Sequence, residues 1–419
     1  RTVYRMGATG PVQVVLGEFR FDLPEDDLRG LPEAERGAAA HRLTLEEARR
    51  PFDLANDLPI RARLARLSDD EHLVMLTLHH IATDGWSWSI LFREWEALHG
   101  SLSRGEPSPL PPLPLHYADY AAWQRETLAG SALEEQLVFW RSYLAGAPAV
   151  LELPADRARP PGRRHRGGIH TLHIAPPLAD GVRALCRHAG ATQYMGLRAA
   201  FKVLLWRYTG EDDLVVGTLD AGRSRSEVES LIGYFIQTLA TRTRLEGDPS
   251  FRGALARVRA STVGAYAHAD VPLERLLADL RPERDRSHNP LVQVMFASQF
   301  PVPHDPGTPR DPGLSLASMG EYADDEMVVD NGATKFDLTL LVGQLRGDSL
   351  SGFVEYDTDL FDAATMQRFA AHYLALLESI AADPGRSISA LPLLGEAERT
   401  ALLEGWSGTP VPYPDAGRC

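Results

Sequence analysis

The run Leu73-Val74-Met75-Leu76-Thr77-Leu78 leads straight into His79-His80-Ile81-Ala82-Thr83-Asp84-Gly85, so an apolar strand pattern ends on a compact set of polar groups. The stretch Arg61 to Leu67 and the turn-rich connector Ser68-Asp69-Asp70-Glu71 make it half of a paired strand unit over 61–67 and 72–80. Successive strand side chains point to opposite faces. His79 and His80 therefore cannot both face one substrate from a regular strand; one belongs in a cleft and the other against the interior. Adjacent histidines also serve as plain packing, and spacing alone leaves both readings open. No third nitrogen or thiolate ligand stands at zinc spacing, so no metal is expected. Gly85 has no Cβ, and its N–H can approach a ligand closely. A neutral histidine beside such a donor suits acyl transfer. The ring accepts or holds the proton of an attacking amine, and backbone N–H groups stabilise an oxyanion. Asp84 either orients a histidine or pairs with an arginine far along the chain, and the spacing does not choose.

Working outward, Gly10 to Leu23 alternates in strand fashion on both sides of Gly17. Residues 32–50 read as a polar-faced helix ended by Pro51. Trp88, Leu91, Phe92, Trp95 and Leu98 fall at helical spacing within 86–100, and 117–146 reads as helical again. Leu153 to Gly168, with three prolines and five arginines, reads as a linker between two lobes. Beyond it the pattern predicts helices at 178–190, 194–209, 250–266, 272–280 and 363–383, and strands at 214–219, 291–298, 335–342 and 350–357. Residues 301–325 read as loop. Mixed strands and long helices in both halves predict two α/β lobes around a cleft.

The chain has 419 residues and a formal charge of −14, with 44% hydrophobic and 24% charged residues. That is ordinary globular composition, with length for two domains or lobes at about 100–200 residues each. An acidic balance argues against non-specific nucleic-acid binding. No run approaches ~18 uncharged apolar residues, so no membrane span is expected. The two cysteines, Cys186 and Cys419, give no disulfide framework, and with no signal peptide a cytoplasmic location is expected. The sequence begins at Arg1 without a Met, and the polypeptide's start is expected to lie upstream. There is no G-x-S-x-G elbow and no glycine-rich phosphate loop. Asp311-Pro312-Gly313-Leu314-Ser315-Leu316 reads as loop rather than as a phosphopantetheine attachment site.

His79–Gly85, followed by Trp86-Ser87, resembles the HHxxxDG motif of condensation domains of nonribosomal peptide synthetases, in the chloramphenicol acetyltransferase-like superfamily. Further segments follow in the family's order. Tyr117-Ala118-Asp119-Tyr120-Ala121-Ala122-Trp123 resembles YxDYAxW, and Ile232 to Leu239 resembles IGxFVNTL. His268-Ala269-Asp270-Val271-Pro272-Leu273-Glu274 resembles HQDxPFE, and Arg284 to Leu291 resembles RDxSRNPL. Arg1-Thr2 looks like the tail of an early LRT motif. Leu391 to Leu394, Glu398-Arg399, Trp406 and Pro412-Tyr413-Pro414 look like the linker into an adenylation domain. The resemblance covers essentially the whole chain and is most like the LCL subtype.

That resemblance implies an α/β fold of two chloramphenicol acetyltransferase-like lobes in a V-shaped pseudodimer with a central tunnel. The lobes would span 1–155 and 156–390, with a linker over 391–419. It implies amide-bond formation between a donor acyl or peptidyl thioester and an acceptor aminoacyl thioester. Upstream and downstream carrier proteins would deliver both on 4'-phosphopantetheine arms, the domain would bind no cofactor of its own, and an adenylation domain would adjoin it in cis. His80 would be the cleft histidine, as base or positioning group, and Gly85 would shape the active-site backbone. His79 would be structural, and Asp84 would form a supporting ion pair with Arg284. Trp86, Ser87, Gln237 and Thr238 would line the tunnel. The arginines from Arg157 to Arg166 would offer a docking patch to acidic carriers. The sequence departs from the family pattern at Gln237, His288, Ala269 and Leu273, and at Asp220, which reads as a solvated loop carboxylate. An epimerisation domain, a non-catalytic recruitment domain and a stand-alone acyltransferase are the alternatives. The adenylation-type linker and the intact His79, His80, Asp84 and Gly85 favour condensation.

Overall fold

The computed structural model describes residues 1–405 apart from 9, 282–284, 299–331 and 344–349. The expected loop at 301–325, the Asp311–Leu316 segment, and Arg284, Trp406, Pro412–Pro414 and Cys419 lie outside the described residues.

The chain opens with an antiparallel hairpin, β1 (Thr2–Gly7) and β2 (Gly10–Val15). The pairing runs out where Val15 meets Thr2. The expected second strand half therefore has no partner there, and Phe19, Phe21 and Leu23 are exposed outside any strand. A three-stranded sheet follows, in the order β3 (Glu25–Asp27), β4 (Ile60–Arg66), β5 (His72–Leu78). Helix α1 (Glu33–Arg49) packs on β5. Its acidic first turn and basic last turn match the helix dipole, and its buried Glu47 meets Arg61 of β4 at 2.6 Å. Three helices follow, α2 (Gly85–Ser103), α3 (Tyr117–Thr127) and α4 (Gly130–Leu144). The single helical pattern expected over 117–146 breaks between α3 and α4, where Gly130 takes φ 58°.

The second half holds β6 (Gly167–Ile174), α5 (Pro176–His188), α6 (Gln193–Thr209), β7 (Asp213–Asp220) and the short α7 (Ser226–Glu229). Then come β8 (Gln237–Arg244), α8 (Phe251–Tyr266), α9 (Leu273–Leu280) and β9 (Val294–Ala297). The remainder is β10 (Leu338–Gly343), β11 (Leu350–Asp357), α10 (Ala363–Ala382) and α11 (Glu396–Thr400). Six strands form one sheet in the order β6-β11-β10-β9-β7-β8, with β9 parallel to β7 and β10. Both faces are buried, and the period of two sorts the side chains. Val216, Val294 and Phe296 pack with Phe201, Val258, Tyr373 and Leu376 of the helices on one face. Val215, Met295 and Leu239 pack with Leu137, Trp140 and Leu144 of α4 and Leu276 of α9 on the other. Burying each such large side chain contributes about 1.5–3 kcal/mol. Helix α4 also blunts the free edge of β8. The Tyr143 hydroxyl accepts from the Arg242 N–H at 2.8 Å and donates to the Arg242 carbonyl at 2.9 Å.

Strands β6 and β8 were not anticipated. The arginines before β6 have partners within the chain. Arg157 pairs with Asp362, Arg159 with Asp337 at 2.6 Å, and Arg164 with Asp359 at 3.7 Å. Arg163 binds Asn289 and the Lys335 carbonyl. These four guanidiniums contact groups of their own chain at the acidic ends of β10 and β11, and Arg157 and Arg164 remain about half exposed.

Candidate active site

Strand β5 ends at Leu78, and the chain turns before the two histidines can continue it. The His79 N–H donates to the Pro59 carbonyl at 2.9 Å, and His80–Ala82 form one 3-10 turn. His79 caps that turn, its Nδ1 accepting from the Ile81 N–H at 3.0 Å, and its ring meets Phe52 edge-on. His80 looks the other way, its ring edge-to-face with Tyr234 at 5.2 Å.

The His80 Nδ1 lies 2.6 Å from the Thr83 carbonyl. A carbonyl only accepts, so Nδ1 carries a proton; in the neutral ring Nε2 is then the acceptor, and no hydrogen bond to it comes from the described residues. His80 is exposed, yet enough protein surrounds it that burial is the largest cause lowering its proton affinity. The Lys335 cation lowers it further, while the Thr83 carbonyl and Asp84 pull the other way. His79 is also pushed toward its neutral form, by burial first and then by His80 and Lys335.

Asp84 is the N-cap of α2 and faces inward. Its Oδ1 accepts from the Ser87 N–H at 2.9 Å and the Ser87 hydroxyl at 2.7 Å. Its Oδ2 accepts from the Phe235 N–H at 3.0 Å. Its cation is Arg223, at 3.3 Å. Arg223 reaches Asp84 because residues 221–236 fold back from the six-stranded sheet onto the start of α2, and Arg284, the partner the resemblance implies, lies outside the described residues. Arg223 also donates to the Val228 and Leu231 carbonyls at 2.6 and 2.7 Å and lies over the Phe235 ring at 4.0 Å.

The other expected residues divide. Gly85 is the first residue of α2. The Ser87 hydroxyl is fully buried and lies 3.0 Å from the Gly233 carbonyl and 3.1 Å from the Gly233 N–H. The Trp86 indole donates to the Glu229 carbonyl at 3.0 Å. Gln237 and Thr238 open β8, paired with Asp220 and Leu219. No hydrogen bond joins them to His80 among the described residues. Asp220 is half-buried, and burial together with Asp270 raises its proton affinity. The first motif thus meets the segment Gly222–Phe235 through a buried polar seam. Tyr117 extends the seam, its hydroxyl donating to the Tyr234 carbonyl at 2.5 Å. Sequence reasoning missed Arg223, Tyr117, Tyr234 and Lys335 as participants. The available signal was that Tyr117, Tyr234 and Phe235 all sit inside the quoted motifs, with Arg223 directly after Gly222. Among the described residues no group of His, Cys, Asp or Glu is arranged to hold a metal ion.

A mixed α/β fold in which the His79–Gly85 turn is tied to the segment Gly222–Phe235 is the architecture of condensation domains. Residues 1–403 match the Condensation domain family. The chain belongs to that family, the condensation domains of nonribosomal peptide synthetases. It is 43% identical over 401 residues to a polypeptide of the linear gramicidin synthase of Brevibacillus parabrevis, covering 96% of this chain and 5% of that polypeptide. It is 40% identical to phosphinothricin tripeptide synthetase PhsC of Streptomyces viridochromogenes, covering 96% of this chain and 36% of that one. The chain therefore spans only a small part of these relatives. Among solved structures it is similar to the X-domain from teicoplanin biosynthesis, with TM-score 0.81 and 31% identity over 94% of this chain and 86% of that one. The first condensation domain of the calcium-dependent antibiotic synthetase shares the fold at TM-score 0.74 and 19% identity, covering 94% and 86%. No described helix is long and apolar enough to cross a membrane.

Proposed function

We propose that this domain joins a donor acyl or peptidyl thioester to an acceptor aminoacyl thioester. Both would arrive on the phosphopantetheine arms of upstream and downstream carrier domains, through a tunnel between the lobes, within a larger synthetase that also holds an adenylation domain. The observation that carries the reading is the tautomer of His80, with Nδ1–H spent on Thr83 and Nε2 free beside the seam. The acceptor amine attacks the donor carbonyl carbon. A C–N bond forms, the C–S bond breaks, and the phosphopantetheine thiolate leaves. The amine's proton passes to His80 Nε2, or is held there, and ends on the departing sulfur. Gly85 keeps the backbone beside His80 free of a side chain, His79 braces the turn, and Asp84 with its cation fixes the start of α2. Trp86, Ser87, Gln237 and Thr238 are proposed to flank the substrate path.

The test loads donor and acceptor carriers with defined thioesters, adds the domain and follows dipeptide by mass spectrometry. Product with wild type and none with His80→Ala supports condensation. Solvent deuterium at the α-carbon without an amide overturns it in favour of epimerisation. No product with wild type, together with retained binding of a partner enzyme, overturns it in favour of recruitment.

A further inference from the structure

One aromatic ring from the second half of the chain stands against His80. The backbone that carries His80 is fixed. His79 caps the turn His80–Ala82, and the Tyr4 hydroxyl of β1 donates to the Ile81 carbonyl at 3.3 Å. Among the described residues the imidazole makes one hydrogen bond, from Nδ1 to the Thr83 carbonyl at 2.6 Å. A single bond pins one atom and leaves the ring free to tilt about it. The second contact is the Tyr234 ring, whose centroid lies 5.2 Å away with the two planes at 74°. Aromatic pairs favour this edge-to-face arrangement. Tyr234 is held on both sides. Its carbonyl accepts from the Tyr117 hydroxyl at 2.5 Å. Before it, the Ser87 hydroxyl donates to the Gly233 carbonyl at 3.0 Å and accepts from the Gly233 N–H at 3.1 Å. After it, the Phe235 N–H donates to Asp84 at 3.0 Å. Gly233 permits the close packing, since a Cβ there would stand 2.3 Å from the Tyr117 ring. Phe235 is fully buried against Tyr117 and Tyr120. Tyr234, by contrast, keeps 41% of its surface exposed, and its hydroxyl takes no hydrogen bond from the described residues. So exposed a side chain adds little to the core, and the hold on its peptide serves to place the ring at His80.

We propose that Tyr234 is a positioning residue for the reaction at His80: its clamped ring and the Thr83 carbonyl together fix the imidazole plane, so that Nε2 keeps one direction toward the acceptor amine. This inference rests on the condensation reading. A base acts only within hydrogen-bond reach of the proton it takes, and a ring that tilts spends less time in reach. Misplacing a reacting group by about 1 Å can cost roughly 10²-fold in rate. The contact is made by the flat ring and not by the hydroxyl, so phenylalanine serves at this position and an aliphatic side chain does not. The hold on His80 comes from the segment that enters β8. Asp84, Ser87 and Tyr117 therefore act on the histidine through Tyr234 as well as through the start of α2.

The test compares wild type with Tyr234→Ala, Tyr234→Leu and Tyr234→Phe. One readout is kcat and KM for dipeptide formation. The other is solvent exchange of the His80 Nδ1–H, followed by NMR of ring-labelled histidine, with the signal assigned by its loss in His80→Gln. Tyr234→Ala is expected to lower kcat roughly tenfold with KM changed less than about twofold. It should also raise Nδ1–H exchange roughly tenfold, because a freed ring leaves the Thr83 carbonyl more often. The thermal midpoint should hardly move. Tyr234→Leu keeps apolar bulk without a flat ring; it should behave like Tyr234→Ala, and it carries the test if that variant does not fold. Tyr234→Phe should restore both readouts. Unmoved Nδ1–H exchange in the folded Ala and Leu variants overturns the proposal, as does unmoved kcat. A Tyr234→Phe protein as impaired as Tyr234→Ala also overturns it, since the hydroxyl would then be the acting group. Exchange needs no turnover, so a wild type that makes no dipeptide refutes the condensation reading separately, and the exchange rates still decide whether Tyr234 holds the ring.

Discussion

Asp84 and Arg223 lie 139 residues apart in the chain and 3.3 Å apart in the fold, with side chains 2% and 1% exposed. The contact ties the start of α2 to the segment that enters β8, so the motif carrying the histidines is held from the other half of the molecule.

Asp84→Asn is expected to lower stability and activity together. The amide keeps the size but leaves the buried Arg223 charge without its carboxylate, which costs about 3–5 kcal/mol. The thermal midpoint should fall by roughly 10 °C. Arg223→Lys should fall nearly as far, because an ammonium cannot reach Asp84 and the Val228 and Leu231 carbonyls at once. A variant that melts like wild type yet is inactive would instead give Asp84 a direct part in the chemistry.

Gly222 tests the close approach beneath that ion pair. It takes φ +64°, and a Cβ there would stand 2.0 Å from the Phe235 carbonyl oxygen. Phe235 donates its N–H to Asp84, so displacing it loosens the carboxylate. Gly222→Ala should cost about 2–5 kcal/mol, combining backbone strain with overlap. Gly210 has φ +71° with nothing within 4 Å of a built Cβ, and Gly210→Ala should cost only about 1–2 kcal/mol. Urea unfolding midpoints compare the two. Equal losses would remove the close approach as the cause.

These residues also mark where sequence reading stops. The paired strands β4 and β5, helix α1 and helices α5, α6, α8, α9 and α10 follow their apolar periodicity closely. Strand β8 did not, because Thr241, Arg242 and Thr243 look polar and only the fold supplies Lys202, Tyr143 and Asp213 to satisfy them. Strand β6 was hidden behind the Pro- and Arg-rich stretch before it. Within the site, the opposed faces of His79 and His80 were legible from local rules, whereas local spacing left Asp84 open and only the family resemblance implied its ion pair. Which arginine pairs with Asp84 was not legible, since it depends on how residues 221–236 fold back, and no local pattern encodes that.

Lys202 on α6 offers a pH-dependent test of the core. It is 0% exposed and donates to the Thr241 carbonyl at 2.9 Å and to Thr243 Oγ1 at 2.8 Å. Burial, then Arg198, hold its proton affinity well below the ordinary 10.5. The unfolded chain therefore binds more protons than the folded one below that value, and stability falls as pH drops from about 10 until the folded group itself protonates. Lys202→Met removes this loss. Its stability relative to wild type should improve steadily from pH 10 to pH 7, read from urea midpoints at each pH. Parallel curves would show that Lys202 stays charged in the core.

Helix α11 near the end of the described chain is anchored by a polar relay, and its contribution can be separated from apolar packing. The His372 Nε2 donates to Glu398 at 2.8 Å, because a carboxylate only accepts. Its Nδ1 is therefore the acceptor for the Tyr208 hydroxyl at 2.6 Å. Burial and Glu398 push the Tyr208 phenol up to about 12, so it stays a donor throughout the working pH range. Just upstream the hold is different in kind. Leu391 is 1% exposed in the main core, and Arg207 donates to the Ile388 and Leu391 carbonyls at 3.2 and 2.8 Å. His372→Ala should therefore raise amide exchange in residues 396–403 by roughly tenfold, while residues 388–392 and the thermal midpoint hardly change. Tyr208→Phe keeps the His372–Glu398 contact and should raise exchange less. If exchange in 396–403 is the same in all three proteins, the relay carries no weight and Leu393 packing against the core holds the helix.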